Sequence, residues 1–138
     1  VIVALGAGLR GRVRAEGTRK IIEAMQKTGT RHLICQSTLG AGDSSRLLNL
    51  KWRWIFRGPL RWVMADHERQ EAWVRESGLE WTIVRPGAFT DGPLTGTYRH
   101  VDAERPSSPK ISRADVAHFL LREAADQANQ GYAVPLYY

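Results

Sequence analysis

The chain has 138 residues, 43% of them hydrophobic and 25% charged, with a formal net charge of +6; this suits one soluble globular domain. The sequence contains no run of roughly 18 apolar residues and no signal peptide, so we expect neither a membrane span nor secretion. The single cysteine, Cys35, excludes an internal disulfide and fits a reducing, cytoplasmic compartment, and the basic charge favours an anionic partner.

The first third of the chain alternates between strand and helix patterns. Residues 1–5 are a continuous apolar, β-branched run, which predicts a strand buried on both faces. Residues 13–28 have helical spacing, and the predicted inward face comprises Val13, Gly17, Ile21, Ala24 and Met25. The helix ends at Thr28-Gly29, and residues 32–37 form a second short strand.

Residues 39–64 interrupt this alternation as an insertion. They begin with a polar, Gly-rich loop at 39–46, and residues 46–62 then mix Arg and Lys with Trp and Phe. Three roles are open for this stretch: a substrate-side lid or dimer contact, a membrane-surface helix, or a stacking platform for single-stranded nucleic acid. We favour the first, so membrane and nucleic-acid partners are not expected.

A buried strand with an abrupt exit follows the insertion. Residues 65–76 predict a helix that stops at Gly78, and residues 81–85 predict a strand that ends at Pro86-Gly87. Ligands of open α/β sheets bind outside the carboxyl ends of the strands. This exit therefore predicts where a site lies.

The remaining segments are a loop without periodicity at 90–110, a helix opened by the capping box Ser112–Asp115, and a last strand at 132–137. Pro135 predicts that the last strand lies at a sheet edge. Strands alternating with helices predict an α/β fold with a parallel sheet and flanking helices. Because an apolar strand opens the sequence, we expect a partial domain, the C-terminal portion of a doubly wound sheet, or pairing of an exposed first strand with a second copy.

A glycine motif follows the first strand. Residues 6–11, Gly-Ala-Gly-Leu-Arg-Gly, match the G-x-G-x-x-G pattern that lets backbone approach a pyrophosphate. The acidic residue that normally follows about 20 residues later is absent, because the second strand ends in Gln36-Ser37-Thr38. We favour a Gly-rich turn beside the site over a true phosphate cradle.

Several segments, in order and spacing, resemble one family. They are residues 1–6, 16–22, 32–38, 66–71, 77–87, 93–98 and 111–117. Together they are similar to the atypical short-chain dehydrogenases/reductases, in the NAD(P)H-binding branch that includes NmrA-like proteins and biliverdin reductase B (flavin reductase). The resemblance implies a Rossmann-like fold, with residues 1–5 matching the family's fourth strand. It also implies NADP or NAD as cofactor and no metal site.

The resemblance assigns roles to the ends of the first two strands. Leu5 and Gly6 would flank the cofactor, and Ser37 and Thr38 would occupy the place of the family's catalytic serine. A hydroxyl there can donate a hydrogen bond to a substrate carbonyl or imine as hydride arrives. The alternative is a strand-end hydroxyl that satisfies local backbone.

The usual Tyr-x-x-x-Lys pair of short-chain dehydrogenases matches Val63 and His67 here, so the tyrosine general acid is missing. His67 and Glu71 lie four residues apart on one helix face. They would orient the nicotinamide ribose or shuttle a proton near neutral pH; the alternative is an exposed ion pair on the helix.

The strand exit receives the nicotinamide in this resemblance. Pro86, Gly87, Ala88 and Phe89 would present backbone amides to its carboxamide, with glycine permitting close approach; the alternative is a simple turn. The whole chain, residues 1–138, is then one partial NAD(P)-binding domain. Its expected activity is hydride transfer from NAD(P)H to a conjugated acceptor such as a flavin, quinone or tetrapyrrole. The alternatives are a non-catalytic NAD(P)-binding regulator and a basic membrane- or nucleic-acid-associating module.

Overall fold

The computed structural model describes residues 1–6, 13–100 and 109–138. In chain order they form β1 (Ile2–Val3), α1 (Val13–Thr28), β2 (His32–Gln36), a 3-10 helix (Gly42–Leu47), α2 (Leu50–Arg57), α3 (Arg61–Glu76), β3 (Glu80–Pro86), β4 (Ala88–Thr90), β5 (Lys110–Ser112), α4 (Arg113–Asp126) and β6 (Ala133–Leu136).

The main sheet has four parallel strands in the order β1-β2-β3-β6. Helices α1 and α3 cover one face, where Ile22, Met25 and Val74 pack on Cys35 and Ile83. Helix α4 covers the other face. Its contribution to the core is Val116, Phe119 and Leu120, which pack on Ile34, Val84 and Val134. The predicted Rossmann-like fold, a parallel sheet between helices, is confirmed.

The two edges of the described sheet compare differently with the strand patterns. β6, which carries Pro135, lies at one edge, as predicted. β1 lies at the other edge, and the prediction of a strand buried on both faces over residues 1–5 is wrong: only Ile2–Val3 pair with β2, and Ile2 is 39% exposed while Val3 is buried, because an edge strand is covered on fewer sides. Pairing of this strand with a second copy stays a prediction.

The inward face of α1 was predicted only in part. Its buried residues are Ala15, Thr18, Ile22 and Met25. Met25 was assigned correctly and Ile21 packs, partly buried, against the same core, whereas Val13 and Ala24 are exposed. Thr18 is buried because its Oγ1 accepts a hydrogen bond of 3.0 Å from Gln70 Nε2 of α3. Hydrophobic periodicity cannot predict the burial of a polar residue when its hydrogen-bond partner lies on another helix.

A small second sheet flanks the segment predicted as a loop. Ala88–Thr90 and Lys110–Ser112 pair in parallel at the two ends of residues 90–110. The basic stretch contains α2, and α3 begins at Arg61 rather than at residue 65. Strands of three residues are too short to produce a measurable alternation in the sequence. In the described part of the chain, every helix falls short of the length or apolarity required to cross a bilayer.

Candidate functional site

The carboxyl ends of β2 and β3 lie side by side and bring two predicted site segments together. Beyond β2, the Ser37 amide donates to the Val84 carbonyl at 2.7 Å, and the Leu39 amide donates to the Pro86 carbonyl at 2.8 Å. These bonds extend the parallel pairing past the strand ends. Ser37 and Thr38 are thereby held next to Pro86 and Gly87, as the shared sheet edge predicted.

A cleft of about 360 Å³ opens at this edge. Its floor and one wall come from the strand exits, through Thr38, Gly87, Ala88 and Pro109. The opposite wall is apolar and comes from the insertion: Leu39, Leu48, Trp52 and Phe56. The predicted placement of the insertion on the substrate side is consistent with this wall.

Ser37 presents a hydroxyl that local structure leaves unused. Its side chain is 3% exposed, and within the described ranges its Oγ has no hydrogen-bond partner of acceptable geometry. It lies close enough to Glu71 to help lower the pKa of that carboxyl. A buried hydroxyl without a partner is costly, and the Ser37 hydroxyl is free to donate a hydrogen bond to a group that reaches it.

His67 is also buried, at 7% exposure, and its Nδ1 has no partner among the residues that the structure describes. Burial, followed by the nearby Arg14 charge, lowers the pKa of His67 to about 4. The imidazole is therefore neutral near pH 7. This favours the orienting role over the proton shuttle, because a shuttle needs a pKa near the working pH.

The interpretation of His67 and Glu71 as an exposed ion pair is wrong. Glu71 is 1% exposed and pairs with Arg85, which is itself 2% exposed. Arg85 Nε donates to Glu71 Oε1 at 2.9 Å, Arg85 Nη2 donates to Glu71 Oε2 at 2.7 Å, and Arg75 Nη1 adds a bond of 2.9 Å. Burial by itself would raise the pKa of Glu71, but the bonds from Arg85 outweigh it and the pKa is lowered.

Sequence reasoning missed Arg85. The available signal was a single arginine that directly follows the apolar pair Ile83 and Val84 and immediately precedes the exit. Its third bond, from Nη1 to Asp43 Oδ1 at 2.7 Å, ties the Gly-rich loop to the sheet. Gly42 has φ +54°, and a Cβ there would lie 3.0 Å from Arg85 Nη2. Glycine is needed at that position for both reasons.

The predicted amide donors at the β3 exit are occupied. Gly87 N–H donates to the Leu136 carbonyl at 2.9 Å, and Ala88 N–H donates to the Pro109 carbonyl at 2.8 Å. A Cβ at Gly87 would lie 2.5 Å from the Pro109 oxygen. Glycine at this position allows the backbone before β5 to approach closely. Because both amides already donate within the protein, their predicted role in binding the carboxamide is not supported. Pro86 has no amide hydrogen.

The remaining predicted residues lie around this edge. Phe89 is 42% exposed, and the Arg113 guanidinium lies over its ring at 5.3 Å. Leu5 packs against Gly17, where a Cβ would lie 2.7 Å from Leu5 Cδ1. Gly6 is exposed, and the rest of the 6–11 glycine motif lies outside the described residues.

The polar groups at this edge are of the kind that could hold the nicotinamide end of a dinucleotide. Ser37 Oγ and His67 Nδ1 are buried and have no hydrogen-bond partner among the described residues. Neither of these two residues lines the cleft at the carboxyl edge, but the adjacent Thr38 does. This is the edge at which doubly wound sheets bind such cofactors.

Comparison with known proteins identifies the family. A family model described as NAD(P)H-binding matches residues 1–127. The Saccharomyces cerevisiae UPF0659 protein YMR090W is 30% identical over 88% of this chain and 54% of its own length. The chain thus spans about half the length of this relative.

Solved structures share the fold. ChuY of Escherichia coli O157:H7, described as an anaerobilin reductase, is 26% identical with a TM-score of 0.79, over 99% of this chain and 62% of its own. A short-chain dehydrogenase/reductase of Veillonella parvula in complex with NADP has a TM-score of 0.75 at 15% identity, over 93% of this chain and 60% of its own. The family match extends over almost the entire sequence, and the chain belongs to the NAD(P)H-binding family, with NAD or NADP as the family's cofactor.

Proposed function

We propose that the protein is an NAD(P)H-dependent reductase that delivers hydride to a conjugated acceptor such as a flavin, quinone or tetrapyrrole. The observation that carries the proposal is the Ser37 hydroxyl at the carboxyl edge, which has no hydrogen-bond partner among the described residues and adjoins Thr38, a residue that lines the cleft together with Gly87. Likeness to a protein described as a reductase adds support.

NAD(P)H would supply the hydride, and the protein would hold the cofactor and polarise the acceptor. Ser37, with Thr38 beside it, donates a hydrogen bond to the acceptor atom on which negative charge develops. Neutral His67 orients the ribose through Nδ1. Leu5 and Gly6 flank the cofactor, and Pro86–Phe89 bound its nicotinamide side by contact.

Substitution of Ser37 tests this role. The hydroxyl forms no hydrogen bond of acceptable geometry within the described ranges, and it helps to keep the nearby Glu71 ionised, so Ser37→Ala should lower the stability only slightly. The rate of NAD(P)H oxidation with a responsive acceptor falls roughly 100-fold or more, the usual contribution of a positioned proton donor. Thr38→Val is the matched control at the neighbouring hydroxyl and gives a smaller loss. An unaltered kcat in Ser37→Ala would remove Ser37 from the mechanism.

A non-catalytic NAD(P)-binding regulator is the second candidate. One observation favours it: Val63 stands where short-chain dehydrogenases carry the tyrosine acid. The two functions separate in a screen of flavins, quinones and tetrapyrroles with NADH and NADPH. Cofactor binding by calorimetry without turnover of any acceptor would establish the regulator and reject the reductase.

A further inference from the structure

A second cleft adjoins the first one and contains positive charge that no described carboxylate pairs with. It measures about 490 Å³, including space at its mouth that is open to solvent, and it shares Leu48 and Phe56 with the cleft at the strand exits. Arg53 and Arg57 of α2 line it, and Glu68 of α3 is the single carboxylate among its lining residues. The wall of the second cleft therefore has a net positive charge.

Helix α2 is fixed in place by its apolar side. The Asn49 side chain caps it by accepting a hydrogen bond of 3.1 Å from the Trp52 amide. Trp52 and Phe56, whose ring centroids lie 5.8 Å apart, pack against the buried Leu39 and Leu48. Gly40 has φ +101°, and a Cβ there would lie 2.8 Å from the Phe56 ring. Glycine at this position thus lets the aromatic side of α2 sit close to the strand exits.

The two arginines are available for a ligand. They lie four residues apart, so they share one face of the helix. Within the described ranges, the structure gives neither guanidinium an ion pair or a hydrogen bond, in contrast to Arg85 and Arg75. Guanidinium groups match the geometry of carboxylates and phosphates and bind them in preference to neutral groups.

We propose that the two clefts form one acceptor site for a planar conjugated molecule that carries an anionic arm. The conjugated ring lies against Trp52 and Phe56 in the cleft at the strand exits, and the carboxylate or phosphate of the arm binds Arg53 and Arg57. Aromatic side chains favour stacked or edge contacts with a flat π-system. The inference rests on the proposed reductase function and defines the chemistry of its acceptor.

Two matched ligand pairs test the anionic arm. FMN and riboflavin share one ring system and differ in a phosphate, while anthraquinone-2-carboxylate and its carboxamide differ in a carboxylate. Dissociation constants are measured by fluorescence on the full-length protein without NAD(P)H. We expect the anionic member of at least one pair to bind roughly ten-fold more tightly than its neutral match, because charge-assisted hydrogen bonds contribute about this much. The pair that shows this difference identifies whether the subsite binds phosphate or carboxylate.

Charge removal locates the subsite. Arg53→Gln/Arg57→Gln abolishes the preference and leaves riboflavin or carboxamide binding unchanged. Lys51→Gln, an exposed position on the same helix that lines neither cleft, retains the preference. Equal affinity for both members of each pair overturns the inference. The inference also fails if Lys51→Gln loses the preference for the anionic ligand as completely as the double arginine variant does.

A measurement on the unmodified protein completes the test. Added salt should weaken binding of the anionic ligand and not that of its neutral match; identical salt dependence for the two contradicts the proposal. Failure of the proposed reductase function would be distinguishable from failure of the anion subsite. If FMN binding depends on Arg53 and Arg57 but no acceptor oxidises NAD(P)H, the anion subsite stands and the reductase activity is rejected.

Discussion

Arg85 of β3 forms a bidentate, buried ion pair with Glu71 of α3, with nitrogen–oxygen distances of 2.9 and 2.7 Å. Because Arg85 also holds Asp43, this pair joins the sheet, the helix that carries His67 and the Gly-rich loop. The loop leads into Leu48 and α2, which line both clefts. The geometry of the candidate site therefore depends on a pair that contacts neither cleft.

Breaking this pair should strongly destabilise the protein. Arg85→Met leaves the Glu71 charge buried without its main partner, which typically costs about 3–5 kcal/mol. Asp43→Asn is the control: Asp43 is 64% exposed, and exposed pairs contribute about 1 kcal/mol or less. Urea unfolding compares the two variants, and equal losses would contradict the assignment of the stabilisation to Glu71.

Stability should fall as the pH drops below the ordinary pKa of histidine. The pKa of His67 is lowered from 6.5 to about 4 in the folded chain, so the unfolded state binds more protons between these values. The contribution of neutral His67 to the free energy of unfolding is therefore complete above pH 6.5. It decreases as the pH falls towards 4, and the total decrease is at most about 3 kcal/mol.

Unfolding free energies measured between pH 5 and 7 test this dependence. Glu71 interferes little in this range, because its ordinary pKa is 4.5 and its titration changes the stability mainly below pH 5. In His67→Gln the slope of stability against pH should flatten in this window. An unchanged slope would show that another group is responsible.

Two glycines should respond differently to alanine. A Cβ at Gly6 meets no described atom within 4 Å, whereas one at Gly87 lies 2.5 Å from the Pro109 oxygen. Gly87→Ala should cost about 1–3 kcal/mol, as overpacking does, and Gly6→Ala should change stability by less than about 0.5 kcal/mol.

If Gly6 flanks the cofactor, Gly6→Ala weakens NAD(P)H binding while the melting temperature is retained. Calorimetric titration measures this affinity. A variant that binds the cofactor normally would place Gly6 outside the cofactor site.

Cys35 should be inert in the folded protein. It is fully buried in β2, and burial raises the pKa of its thiol to about 12, so thiolate is scarce at neutral pH. A thiol reagent should label Cys35 only in denaturant, whereas a thiol introduced by Lys51→Cys, at an exposed position, reacts at once. Rapid labelling of native Cys35 would reveal opening of the sheet.

Local signals in the sequence predicted the element types well. The bounds of α1 were predicted as the structure has them, and the Ser112 cap accepts from the Asp115 amide at 3.0 Å as its motif indicates. Periodicity failed where tertiary contacts decide, as on the inward face of α1. The roles of Ser37, Thr38 and His67 in catalysis remain predictions.

The sequence by itself determined the parallel α/β sheet and the edge at which the candidate site is proposed, because apolar runs, glycine stops and helix caps act over a few residues. Only the tertiary structure decided that Arg85 pairs with Glu71, that the Gly87 and Ala88 amides are occupied, and that Arg53 and Arg57 of α2 line the cleft that adjoins the one at the strand exits. Each of these depends on groups that are distant in sequence. Burial and charge pairing act through space, and a one-dimensional pattern does not contain those distances.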